Sequence, residues 1–123
     1  MKRIAVVDDE PDDITNVLKK GLERNGFTVD TFNDPQAALA SIPPRYYDLV
    51  IIDIRMPRIN GFDLYRQLKK RDSGVKVCFL TAFQIYYEEF RMLFPKIDVK
   101  AFIRKPVSMS NLVNQINTAI ASK

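Results

Sequence analysis

Asp8 and Asp9 follow the apolar run IAVV, Asp53 follows LVII, Thr81 follows VCFL, and Lys105 follows AFIR and precedes Pro106. Three carboxylates, a hydroxyl and an ammonium each close a short apolar run. In a parallel sheet covered by helices on both faces, such runs read as strands whose carboxyl ends share one edge. The five groups then meet in a single crevice, a constellation that suits a divalent cation and a phosphoryl group carried on an aspartate.

The electrostatics point the same way. Two carboxylates about 4 Å apart repel by roughly 4 kcal/mol at an effective dielectric near 20, so the pair Asp8 and Asp9 needs a compensating cation. Magnesium suits it, taking few protein carboxylates and completing its six oxygen ligands with phosphate and water. Asp53 closes the most continuously apolar run, and its carboxylate can act as a nucleophile that becomes an acyl phosphate. Lys105 is a compact point charge suited to a phosphoryl oxygen and, before modification, to Asp53 itself. Phosphoryl transfer through a loose transition state needs positioning and charge neutralisation more than acid-base chemistry, which fits a chain without a histidine. The donor must then be another protein or a small acyl phosphate. Taken singly, an acidic pair is ordinary surface, Thr81 an ordinary β-branched strand residue, and Lys105 a lysine before a turn proline.

Strand and helix periods alternate along the chain and set the frame for these groups. The pattern predicts a strand over Arg3 to Asp8 and a helix over about Asp13 to Asn25, with Ile14, Val17, Leu18 and Leu22 on one stripe and Gly26 as its stop. A strand over Thr28 to Phe32 follows, then a helix opened by Asp34 as N-cap with Pro35 in its first turn, facing Ala38, Leu39 and Ile42 inward and ended by Pro43 and Pro44. Leu49 to Asp53 reads as the central strand; a loop to Gly61 leads to a helix carrying Leu64, Tyr65 and Leu68, and Lys76 to Thr81 is the fourth strand. Gln84 to Phe94 is predicted helical, with Tyr86, Tyr87, Phe90, Leu93 and Phe94 inward and Ile85 and Met92 outward. Ala101 to Arg104 is the fifth strand, and Ser110 caps a last helix with Leu112, Val113, Ile116 and Ile120 inward. Five βα units with right-handed crossovers give a flavodoxin-like, doubly wound α/β fold with a five-stranded parallel sheet. Its strand order, 2-1-3-4-5, is taken by analogy with folds of that kind.

The 123 residues allow one domain, residues 1–123, and no appended output module. With 46% hydrophobic and 28% charged residues the chain has the composition of a globular protein with a packed core. Its first apolar run is only four residues long, too short for a signal peptide or membrane span, which places the chain in the cytoplasm with no membrane partner. Cys78 lies inside an apolar run and reads as a small buried hydrophobe. The net charge of +4 and pI near 9.3 raise the question of nucleic acid. Yet the cations fall on helical faces, as in Lys19, Lys20, Arg24 and Arg66, Lys69, Lys70, Arg71, with no nucleic-acid-binding signature beside them, so direct binding is not expected.

The acidic pair Asp8 and Asp9, the segment from Asp53 to Gly61, Thr81 with Ala82, and Lys105 with Pro106 occur together, in order, at strand ends. On these residues the chain resembles the receiver domain of two-component response regulators over nearly its whole length. The resemblance implies a module, not a turnover enzyme, that accepts a phosphoryl group on Asp53 from a histidine kinase or histidine phosphotransfer protein. It implies Mg2+ held by Asp9 and Asp53, by Asp8 partly through water, and by the main-chain carbonyl of Arg55. It assigns Thr81 and Lys105 to the phosphoryl group, makes Thr81 and Phe102 a switch pair, and associates the Lys105–Pro106 bond with a cis geometry. The helix after Thr81, the fifth strand and the last helix form the face expected to dimerise or to bind an output protein.

Arg55 and Phe83 occupy positions that in this family govern water access to the acyl phosphate, and two bulky side chains there predict slow hydrolysis. A haloacid-dehalogenase-like phosphatase, by resemblance, wants a second aspartate where Arg55 stands. A flavodoxin-like cofactor binder needs a neutral or positive phosphate loop where Asp8, Asp9 and Glu10 stand. The nearer rival is a phosphate-independent pseudo-receiver acting as a protein-interaction module, disfavoured because every key side chain is present.

Overall fold

β1 (Lys2–Val7) pairs in parallel with β2 (Phe27–Phe32) on one side and with β3 (Leu49–Asp53) on the other, so the chain's first strand lies inside the sheet. β4 (Val77–Thr81) and β5 (Ala101–Arg104) extend the sheet beyond β3, giving the expected order β2-β1-β3-β4-β5. The computed structural model describes residues 2–8, 12–53, 61–81, 92, 101–104 and 108–121. Within them, four helices accompany the sheet: α1 (Asp12–Arg24), α2 (Pro35–Ser41), α3 (Gly61–Arg71) and α4 (Met109–Ala121). The helix expected over Gln84 to Phe94 lies outside the described residues except for Met92, which is helical and exposed as anticipated.

Alternation along the strands splits the core in two. Ala5, Val7, Val50, Ile52 and Phe79 face one way and pack with Ala38 of α2 and Phe62, Tyr65 and Leu68 of α3. Ile4, Val6, Leu49, Ile51, Cys78 and Leu80 face the other way and pack with Leu22 of α1 and Leu112, Ile116 and Ala119 of α4. Every residue of β3 is buried, which explains its unbroken apolar reading: a strand covered on both faces has no polar side to show. Edge-to-face contacts of Phe79 with Phe62, at 5.3 Å between centroids, and with Tyr65, at 5.7 Å, tie α3 to the sheet.

Local chemistry sets the element ends. Asp34 takes an extended conformation and its carboxylate accepts the Gln36 amide at 3.0 Å, capping α2 with Pro35 at the first helical position. Gly26, at φ +91°, supplies the left-handed residue that turns α1 into β2. Gly21 leaves room for α4: the tip of the Met109 side chain occupies the space a Cβ would take on α1.

Two expectations need correction. Val17 is 65% exposed and is not part of the inward stripe of α1. That helix packs through Leu18 and Leu22, and at about 100° per residue Val17 falls well outside their arc. The cap of α4 is Ser108, whose Oγ accepts the Asn111 amide at 3.2 Å, and not Ser110, which is already inside the helix. An N-cap must directly precede the first helical residue to reach the third helical amide, and only Ser108 does.

Candidate functional site

The β1–β3 register pairs Val7 with Ile52, so the next residue on each strand, Asp8 and Asp53, stands at neighbouring positions on the carboxyl edge of the sheet. Strand spacing puts such positions about 4.8 Å apart. Both side chains are almost fully enclosed, Asp8 at 1% and Asp53 at 6% exposure, and they are the buried charged groups among the described residues. Neither is isolated; each makes further contacts in the site.

The local chain holds Asp8 where the strand ends. Its amide donates to the Phe32 carbonyl at 3.0 Å, extending the β1–β2 ladder by one residue. Its carbonyl accepts from the Asn33 side chain at 3.3 Å. The sequence reading missed Asn33; its position just after β2 was the available signal, because strand order places the end of β2 beside the end of β1.

Register carries the edge onward. Asp53 pairs with Leu80, so Thr81 sits one residue further along β4, and Thr81 pairs with Arg104, the residue before Lys105. The structure therefore brings Asp8, Asp53 and the backbone of Thr81 to one edge, on three adjacent strands. Asp9, Arg55, Phe83, Lys105 and Pro106 lie outside the described residues, as do the side chains of Thr81 and Phe102. The backbone of Phe102 is paired with Phe79, within β5.

Two buried carboxylates at adjacent register positions form a donor set that fits a hard, oxygen-seeking cation. Charges about 5 Å apart repel by about 3 kcal/mol at a dielectric near 20, and removal from water adds to that cost unless a cation or hydrogen bonds offset it. Among the described residues no cluster of three or more His, Cys, Asp or Glu is present, so two carboxylates are what this part of the chain offers a metal. Also among the described residues, no helix is long and apolar enough to cross a membrane.

Residues 4–117 match the response regulator receiver domain, and the chain belongs to that family. It is a signalling module of two-component response regulators rather than a turnover enzyme. It is similar to the non-phosphorylated HemR receiver domain from Leptospira biflexa, at 28% identity and TM-score 0.87, covering 100% of this chain and 97% of that one. It is also similar to the response regulator TrrA from Thermotoga maritima, solved in complex with Mg2+ and BeF, at 32% identity and TM-score 0.84 over 97% of this chain and 99% of that one. Among curated proteins it is 32% identical to the alkaline phosphatase synthesis transcriptional regulatory protein PhoP from Bacillus subtilis, over 87% of this chain and 43% of PhoP. The chain spans about half the length, or less, of the curated relatives it matches.

Proposed function

We propose that Asp53 accepts a phosphoryl group from a histidine kinase or histidine phosphotransfer protein in the cytoplasm, and that the acyl phosphate switches the module toward a partner. The observation that carries this reading is the placement of Asp8 and Asp53, buried side by side at the carboxyl edge of β1 and β3. Family membership and the Mg2+–BeF complex of TrrA support it.

In this reading Asp8, Asp9, Asp53 and the main-chain carbonyl of Arg55 hold Mg2+, which when bound neutralises charge on the carboxylate and the incoming phosphoryl group. A carboxylate oxygen of Asp53 attacks phosphorus, the bond from phosphorus to the donor nitrogen breaks, and the donor imidazole leaves. The Lys105 ammonium pairs with a phosphoryl oxygen, and the Thr81 hydroxyl donates to another. That hydroxyl contact contributes about 1.5 to 3 kcal/mol, whereas inverting a 1:99 equilibrium takes about 5.5, so Lys105 and the cation must share the work. Movement of Thr81 vacates space that Phe102 fills, which passes the change to the face used by a second copy or an output protein.

Titration of the chain with Mg2+ and beryllium fluoride, followed by backbone NMR, tests the site. Mg2+ alone shifts amides near Asp8 and Asp53, adding beryllium fluoride shifts them further, and this second change disappears in Asp53→Asn. An unresponsive wild-type chain, or an Asp53→Asn chain that responds equally, contradicts the proposal.

A further inference from the structure

At the amino ends of the strands, on the edge opposite Asp8 and Asp53, the molecule carries a groove of about 820 Å³. This is within the range of small-molecule sites, roughly 300 to 1,000 Å³. Four cations line it: Lys2 at the start of β1, Arg45 in the turn before β3, Arg71 at the end of α3, and Lys76 just ahead of β4.

Asp48 and Asp72 line the groove too and leave it with two more cations than anions; main-chain amides fix both carboxylates in place without removing their charge. Asp48 accepts the Arg3 amide at 2.8 Å. Asp72 accepts the Arg45 amide at 2.8 Å through one oxygen and the Gly74 amide at 3.1 Å through the other. The cations likewise keep their charge, and they outnumber the carboxylates four to two. Arg71 donates to the Leu39 carbonyl and Lys76 to the Ile120 carbonyl, both neutral acceptors. The side chains of Lys2 and Arg45 have no hydrogen-bond or ion-pair partner among the described residues. Arg45 is also held at φ +60°, a left-handed conformation costly for a residue with a Cβ, by the hydrogen bond from its amide to Asp72.

We propose that this groove binds a compact multivalent phosphate, either the di- or triphosphate of a nucleotide or an inorganic polyphosphate. Lys2 opens β1 and Lys76 directly precedes β4, the strands that flank β3, and with the two-residue stagger of the register their backbones stand about 12 Å apart, so an anion carrying several phosphates matches the spread of the cations. Arg45 adds a planar donor suited to paired phosphate oxygens, and Arg71, whose guanidinium donates to Leu39, adds positive charge at the margin of the groove. The site is independent of the phosphoacceptor edge and uses none of its residues.

The test is an NMR titration of the unphosphorylated chain, without divalent cations, using inorganic tripolyphosphate, ATP, orthophosphate and polyglutamate as separate probes. Tripolyphosphate or ATP shifts the amides of residues 45–48 and 71–76, and whichever binds more tightly identifies the source. Orthophosphate and polyglutamate bind at least about tenfold more weakly, the loss of one charge-assisted contact or more. Arg45→Gly removes the guanidinium at a position glycine adopts without strain. It weakens tripolyphosphate binding about tenfold while the melting temperature stays unchanged or rises, which separates lost contacts from lost folding. Lys2→Gln, at an exposed strand start, weakens binding in the same direction. Affinity indifferent to Arg45→Gly, shifts gathered instead around Lys19 and Lys20 or around Asp53, or polyglutamate binding as tightly as tripolyphosphate would each overturn the proposal.

Discussion

Asp8 and Asp53 are the next residues after the register pair Val7 and Ile52, and this one relationship brings two otherwise ordinary acidic residues together as a candidate site. Each ends an apolar strand, each is buried, and the parallel ladder gives neither of them another place to go.

That proximity has an energetic signature. Without metal, Asp8→Asn removes one of two carboxylates buried at adjacent register positions and should raise the free energy of unfolding, by about 1 kcal/mol once the contacts each carboxylate makes have offset part of the repulsion. Adding Mg2+ should stabilise the wild type and do less for the variant, narrowing the gap. Urea unfolding in EDTA and in Mg2+ measures both, and a variant no more stable than the wild type in EDTA contradicts the picture.

The Cys78 thiol is fully buried, and burial pushes its pKa from 9.0 up to about 12. Below about pH 9 the thiol is protonated in both states and its contribution does not change with pH. Between about 9 and about 12 the unfolded chain releases this proton and the folded chain keeps it, so stability falls as pH rises. Cys78→Ala should flatten that part of the stability–pH curve, and a thiol reagent at pH 8 should label Cys78 only at the rate of opening.

Asp72 clasps two loops, accepting the amides of Arg45 and Gly74. Asp72→Ala should cost about 1 to 3 kcal/mol, because two amides lose a charged acceptor and Arg45 loses the bond that holds its positive φ. Asp72→Asn should recover part of that loss by keeping one good acceptor oxygen. Denaturant midpoints of the three chains give the order directly.

The slow hydrolysis expected from Arg55 and Phe83 is open to a direct test. If their bulk screens the attacking water, Arg55→Ala and Phe83→Ala should lose label from phosphorylated Asp53 several-fold faster than the wild type, about tenfold for each 1.4 kcal/mol removed from the barrier. A time course of intact mass decides it, and faster loss in the wild type contradicts the screening role.

Much of the sheet was legible because a doubly covered strand leaves a continuous apolar run with a polar stop, and β3 runs from Leu49 to Asp53 as read. Helix faces were less legible. Val17 looks apolar enough to belong inside, but only the packing partner decides which arc of α1 is covered, and α4 chose Leu18, Gly21 and Leu22. Ser108 and Ser110 are equivalent as residue types, and the helix start, not the composition, selected Ser108. Asn33 was invisible for a related reason, since its value to Asp8 exists only once β2 is known to lie beside β1. The basic groove has no sequence signature, because Lys2, Arg45, Arg71 and Lys76 are scattered along the chain and no period connects them. For the site itself, register accounts for Asp8 and Asp53, while the metal roles given to Asp9 and Arg55 and the switch role given to Phe102 rest on resemblance.

The most direct measurement is intact mass after incubation with acetyl phosphate and Mg2+. The wild-type chain should gain one phosphoryl group, Asp53→Asn should gain none, and EDTA should abolish the gain. A wild-type chain that stays unmodified, or a modification that persists on Asp53→Asn, contradicts the assignment of Asp53 as the phosphoacceptor.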